Sequence, residues 1–158
     1  ALPISRCQIL HFQELSKEVL IYKLQEAGIP VEKAKLLAFL TNSFTKAVEI
    51  SQNEWFNDAK DSIQQWFVYM QSNDTQAFIY VQKKLIKLFK EKSQQFTALS
   101  ILLFYYQEAL KQALEKDKIM QVKKINQTIE RILFAEQKLR SNVSFQAVAE
   151  QLVLRTIN

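Results

Sequence analysis

Phe96-Thr97-Ala98-Leu99-Ser100-Ile101-Leu102-Leu103-Phe104-Tyr105-Tyr106-Gln107 is the longest uncharged apolar run in this chain. Its apolar residues recur at Phe96, Leu99, Leu103 and Tyr106 and continue to Leu110 and Leu114. That alternation of threes and fours lines one face of an α-helix. Ile101, Leu102, Phe104 and Tyr105 fill the other faces, and a helix apolar all round belongs inside a fold. The spacing therefore predicts a buried central helix that starts at Ser93. The run contains Thr97 and Ser100 and stops at Glu108, well short of the ~20 apolar residues that cross a bilayer.

Towards the C-terminus, Lys116-Asp117-Lys118 is a polar break. Ile119, Val122, Ile125, Ile129, Ile132 and Leu139 then stripe a long helix, and Ser144 caps a last one carrying Phe145, Val148, Leu152 and Ile157. Towards the N-terminus, Phe78, Val81, Leu85, Leu88 and Phe89 mark another stripe. Ser72-Asn73-Asp74 is the turn before it, with Asn73 and Gln76 at capping distance. Trp55, Ala59, Ile63, Trp66, Phe67 and Met70 mark one more, behind a capping-box spacing at Ser51 and Glu54.

Ahead of these five helices lie three shorter ones. Ser16 caps the first, which carries Val19, Leu20, Tyr22 (or Lys23) and Leu24. Gly28 ends it in the left-handed conformation, with Pro30 behind. Val31, Ala34, Leu37 and Leu40 mark the second, Thr41-Asn42-Ser43 breaks it, and Phe44, Ala47, Val48 and Ile50 mark the third. Residues 1–12 read as extended. The expectation is an all-α chain, a short three-helix module followed by a five-helix bundle.

Composition agrees with this and removes several function classes. The 158 residues hold 48% hydrophobic and 11% aromatic residues, 23% charged residues and a net charge of +5, enough for a core without staples. Gly28 is the one glycine, so neither G-x-G-x-x-G nor a Walker loop can be present. Cys7 and His11 are the one cysteine and the one histidine. A structural zinc site with four such ligands is therefore excluded, and no metal or cofactor is expected. No intramolecular disulfide can form, which suits a reducing cytosol. Ala1-Leu2-Pro3-Ile4-Ser5-Arg6 lacks the pattern of a signal peptide, and the expectation is a soluble cytoplasmic protein.

Chemistry-bearing constellations are sparse. Cys7 and His11 are four apart in a segment read as extended, and His11 reads as a surface or interface residue rather than a base. Most carboxylates sit among Lys, Gln and Asn, as Glu91 does between Lys90 and Lys92, the pattern of a solvated face. Glu108 is the exception; an interface hydrogen bond and a partly exposed carboxylate are both open to it. Lys83, Lys87 and Lys90, at i, i+4 and i+7 with Lys84 and Lys92 nearby, form a strip able to contact phosphates. The plainer reading is a solvated face opposite Phe78, Val81, Leu85 and Leu88. Trp55, Trp66, Tyr105 and Tyr106 have ring faces able to stack on bases, but within apolar stripes they read as core or interface anchors. No coherent catalytic set emerges.

One resemblance adds to this. Ser5-Arg6-Cys7-Gln8, preceded by Leu2-Pro3 and followed by an apolar stretch ending in Phe12 and Leu15, resembles the Ser-Arg-Cys box of AAA+ clamp-loader subunits. In that family a three-helix lid follows the box, and a helical collar follows the lid. Thr41-Asn42-Ser43-Phe44-Thr45-Lys46-Ala47 stands where the family carries its sensor-2 segment. Phe104-Tyr105-Tyr106-Gln107-Glu108-Ala109-Leu110 is similar to its collar stretch, with Gln107 where arginine is usual. Ala135 to Leu139, then Asn142, Val143, Ser144, Glu150, Leu152 and Leu154, are similar to its ending. The resemblance implies that residues 1–50 hold the end of an ATPase domain plus the lid, and residues 51–158 the collar. It implies a nucleotide-binding domain ahead of Ala1, which this sequence does not include, so no ATP binding and no enzyme activity are expected of the chain itself. Thr45 holds the place of the sensor-2 arginine of the ATPase members, which points to a member with a degenerate nucleotide site. By the same resemblance, Arg6 is an arginine finger reaching a neighbour's ATP in the intact subunit. The partners implied are other clamp-loader subunits, gamma/tau and delta, through the collar, with DNA and the sliding clamp met only as part of the complex. Phe104, Tyr105 and Tyr106, or the C-terminal helix, are expected to lie partly exposed as the interface. A basic helical nucleic-acid-binding module is the alternative.

Overall fold

The computed structural model describes residues 15–157, and these form eight helices with no strand among them. Contacts divide the chain into two compact units between Asn53 and Glu54.

The first unit holds α1 (Lys17–Glu26), α2 (Val31–Leu40) and α3 (Phe44–Ser51). Ser16 Oγ accepts the Val19 amide at the start of α1, which satisfies one of the amides a helix start leaves unpaired. Gly28, at φ +91°, ends α1 as the Ile29 amide donates to the Leu24 carbonyl and the Gly28 amide to Gln25. That paired closure needs a left-handed residue, which glycine adopts at little cost. Leu20, Leu24, Ala34, Leu36, Leu37, Ala38 and Ala47 form the small core. Lys33 Nζ donates to the Ser51 carbonyl at 2.8 Å and ties α2 to the end of α3. Val19, Tyr22 and Val31, read as part of the apolar stripes, are exposed instead. A short helix with two neighbours buries only a narrow strip.

The second unit holds α4 (Glu54–Gln71), α5, α6 (Lys92–Glu115), α7 (Ile119–Arg140) and α8 (Phe145–Thr156). Segment α5 runs as Gln76–Tyr80, a π-helical turn Val81–Leu85, and a last turn Ile86–Leu88. α6 packs along α7 and across α4, while α8 packs on α7 and on α5. No residue from Gln94 to Leu110 is exposed, so α6 is the central helix its composition predicted. Trp66 is the largest fully buried side chain, and its indole Nε1 donates to the Ala77 carbonyl at 3.2 Å. Burying such a side chain stabilises by roughly 1.5–3 kcal/mol.

Three connections end in the left-handed conformation without glycine: Asn73 (φ 53°), Asp117 (φ 52°) and Asn142 (φ 66°). Each follows a helix whose last carbonyls receive the same paired closure seen at Gly28. Asn and Asp tolerate this region better than other side chains, which explains how the described residues, with one glycine, still make four such sharp turns.

Three expected caps differ. Asn73 ends α4 rather than capping α5, and Asp74 Oδ1 accepts the Gln76 amide instead. Helix α6 begins at Lys92, one residue before Ser93; Gln94 Oε1 accepts the Glu91 and Lys90 amides there. Ser51 is the last residue of α3 and donates Oγ to the Val48 carbonyl, so it does not open a capping box with Glu54. At α8, Ser144 Oγ accepts the Ala147 amide at 3.2 Å, as its spacing indicated.

Candidate interaction surface

Arg6, Cys7 and His11 lie outside the described residues. Among the described ones, no group of three His, Cys, Asp or Glu side chains is placed to hold a metal ion, and no helix is long and apolar enough to cross a membrane.

The basic strip is not one helical face. Lys83 and Lys87 lie on α5, but the helix ends at Leu88 because Phe89 turns away with φ −106° and ψ 74°. Lys90 falls in the connection to α6, where its amide is bonded to Gln94. The π turn Val81–Leu85 also holds one more residue than an α turn would, so i, i+4, i+7 spacing loses its α-helical meaning across it. All three ammonium groups are exposed. Lys84 pairs with Asp58 at 3.8 Å.

The three collar aromatics separate. Phe104 and Tyr106 are 6% and 2% exposed and belong to the core of this unit, whereas Tyr105 is half-buried. Tyr106 meets Phe67 edge-on, with ring centroids 4.9 Å apart, and Tyr105 lies 5.7 Å from the same ring. Of the two places expected to lie partly exposed, the aromatic trio keeps only Tyr105 outside, because consecutive residues on a helix point about 100° apart and the neighbouring helices close over the other two, while the C-terminal helix does expose Leu154. The Tyr106 hydroxyl is buried with no hydrogen-bond partner among the described residues, and burial holds its pKa well above the usual tyrosine value. Trp55 is half-buried; its Nε1 donates to the Leu88 carbonyl at 2.9 Å while its ring meets Phe89 edge-on. Trp66 is sealed in the core, out of reach of a base. Glu108 is a partly exposed carboxylate paired with Lys111 at 3.4 Å.

Exposed apolar side chains gather elsewhere. At the tip between α6 and α7, Leu114, Ile119 and Met120 face solvent, the last two about four-fifths exposed at 78% and 81%. Farther along, Leu133 and Phe134 on α7 and Leu154 on α8 are exposed, Leu154 at 65%. A narrow recess of about 20 Å³, room for one water, lies between these two helices. Arg131, Phe134, Ala135 and Lys138 form its α7 wall, and Val148, Gln151, Leu152 and Arg155 its α8 wall. Both sets follow i, i+3, i+4, i+7, so each is one straight helical stripe. Lys138 Nζ hydrogen-bonds Gln151 across the recess and rests 4.6 Å above the Phe134 ring centroid. Behind the recess, Arg140 pairs with Glu136 at 3.6 Å and covers the Phe96 ring of α6. Partial burial pushes the Glu136 carboxyl up, against the opposing pull of Arg140.

A second cleft of about 380 Å³ lies between α4, α6 and α7; Phe67 and Ile125 line it together with Lys116, Lys118 and Lys124. Nothing in the apolar spacing marked either recess. The one signal available was that Leu133 and Phe134 sit off the stripe formed by Ile125, Ile132 and Leu139.

No family model matches the chain, and no solved structure does. Among curated proteins it is similar to DNA polymerase III subunit delta′ of Bacillus subtilis, 30% identical over 167 aligned positions. The match takes in 96% of this chain and 51% of that protein, so the chain spans about half the length of the relative it matches. The chain is therefore similar to DNA polymerase III subunit delta′ along nearly the whole of its own length.

Proposed function

We propose that this chain is the C-terminal assembly part of a clamp-loader subunit of DNA polymerase III. The observation that carries the reading is the match to a delta′ subunit along 96% of the chain. Residues 1–50 are the end of the ATPase domain and its three-helix lid; residues 51–158 are the collar that packs beside the collars of gamma/tau and delta subunits in the ring. The helical bundle supports a scaffolding role: its core is complete without a ligand, yet apolar side chains such as Ile119, Met120, Phe134 and Leu154 remain outside. Exposed apolar side chains along α7 and α8 suit contact with another protein. Tyr105 stays an interface candidate, while Phe104 and Tyr106 act from behind by fixing the helix that carries it. DNA and the sliding clamp are met through the assembled complex, in the cytoplasm.

Arg6 is proposed to act as an arginine finger in the intact subunit, its guanidinium stabilising charge on the phosphoryl oxygens of ATP held by a neighbour. Arg6→Ala in the full-length subunit should lower ring ATPase while the ring still assembles. Unchanged ATPase in an assembled ring removes that role. For the scaffolding role the experiment is co-purification of the chain with gamma/tau and delta subunits: a stoichiometric complex supports it, and a folded chain that stays apart refutes it.

A further inference from the structure

The cleft between α4, α6 and α7 sets positive charge without partners over an apolar floor. At about 380 Å³ it falls within the range of sites that hold a ligand, roughly 300–1,000 Å³. Two alanines make the room. Ala109 and Ala113 stand one turn apart on α6, where longer side chains would close the gap between Phe67 of α4 and Ile125 of α7. Above this floor stand Lys116, Lys118 and Lys124, all exposed, and no carboxylate lines the cleft. None of the three has an ion pair among the described residues, although Lys60, Lys84, Lys111 and Arg140 each find an acid in the same unit. Gln71, Gln112 and Gln121 complete the lining, and their side-chain amides make no hydrogen bond among the described residues.

We infer that this cleft binds a short acidic peptide segment of a partner protein, one carrying a large apolar side chain among aspartates or glutamates. The apolar side chain takes the floor on Phe67 and Ile125, and its acidic neighbours pair with Lys116, Lys118 and Lys124. The three glutamines, each both donor and acceptor, bond the amides of the peptide backbone. A nucleic-acid strand suits the cleft less well. Phosphates use only the donor half of each amide, and Glu115 and Asp117, adjacent to Lys116 and Lys118, repel a long polyanion. Phe67, the one aromatic ring of the lining, is half-buried against Tyr105 and Tyr106 rather than standing free for a base to stack on. The site is independent of the assembly reading above, since all its residues come from the second unit of one chain.

The test is fluorescence polarisation of a labelled peptide, one central Phe set among Asp and Glu, titrated with the chain. The controls are the same peptide with Lys for its acids, the same peptide with Gly for its Phe, and a single-stranded oligothymidylate. Saturable binding of the acidic peptide is expected, with both peptide controls at least about tenfold weaker. Amide NMR shifts on the labelled chain should be confined to Phe67, Gln71 and residues 109–125. Lys116→Glu/Lys124→Glu should weaken the acidic peptide by about tenfold or more, and it alters only exposed side chains. No binding by the folded chain, equal binding of the acidic and Lys peptides, or shifts that map elsewhere overturn the inference. Undiminished binding to Lys116→Glu/Lys124→Glu does the same. Equal binding of the Phe and Gly peptides overturns the apolar anchor. Oligothymidylate that binds more tightly than the peptide, with shifts at these residues, overturns the choice of a peptide in favour of nucleic acid.

Discussion

Replacing Trp66 with phenylalanine is expected to destabilise the second unit by about 2–3 kcal/mol. Trp66 is fully buried, and its Nε1–H donates to the Ala77 carbonyl at 3.2 Å, pinning the start of α5 to α4. Phenylalanine keeps a six-membered ring in the site but has no donor, and the lost hydrogen bond accounts for about 1 kcal/mol. The missing five-membered ring leaves a void that neighbouring side chains refill only in part, for roughly 1–2 kcal/mol more. Urea unfolding followed by tryptophan fluorescence measures the sum, since Trp55 then remains as the one indole and lies in the same unit. Its own hydrogen bond to Leu88 and edge contact with Phe89 make its emission sensitive to loss of the packed state. The midpoint should fall with the denaturant slope unchanged, which marks a loss of stability rather than a change in the unfolded chain. A drop below about 0.5 kcal/mol at constant slope would refute the view that this indole is a keystone of the bundle.

Tyr106→Phe should raise stability by about 1 kcal/mol in the same titration, because it removes a buried hydroxyl without a partner. Burial raises the Tyr106 pKa above 10.0, so its contribution is complete below pH 10.0 and is lost as pH rises and the unfolded chain ionises first. Tyr106→Phe should therefore flatten the alkaline decline of stability, and an identical decline in both proteins refutes the assignment. Ser144→Ala should cost about 1 kcal/mol and speed hydrogen exchange in the first turn of α8, where the hydroxyl caps the Ala147 amide. Asp117→Gly should raise the melting temperature by relieving a left-handed residue at φ 52°, for up to about 1 kcal/mol; a lowered melting temperature counts against strain at this turn.

Features with local chemistry were legible in the sequence. Ser16, Gly28 and Ser144 each act on backbone groups within a few residues, so their spacing alone placed them correctly. The central position of α6 was legible too, since no other location suits a helix apolar on every side. Where two local solutions compete, spacing misled: Asn73 and Asp74 both suit a cap, and the left-handed closure of α4 took the first. The π turn in α5 left no mark, because Val81 and Leu85 suit an α-helical stripe equally well. Which side chains of α6 stay outside depends on which of its sides α4 and α7 cover: Phe104, Tyr106 and Ala113 point to covered sides, and Leu114, on the expected buried stripe, does not. The small recess is a property of two helices together: Arg131 and Arg155 are 24 positions apart in sequence, and only the packing of α8 on α7 brings their stripes face to face.

The most direct test of the assembly role is native mass spectrometry of this chain mixed with gamma/tau and delta clamp-loader subunits from the same source. One copy of the chain in a complex with those subunits is the expected species. Spectra holding only the separate proteins, with the chain shown to be folded by circular dichroism, contradict it.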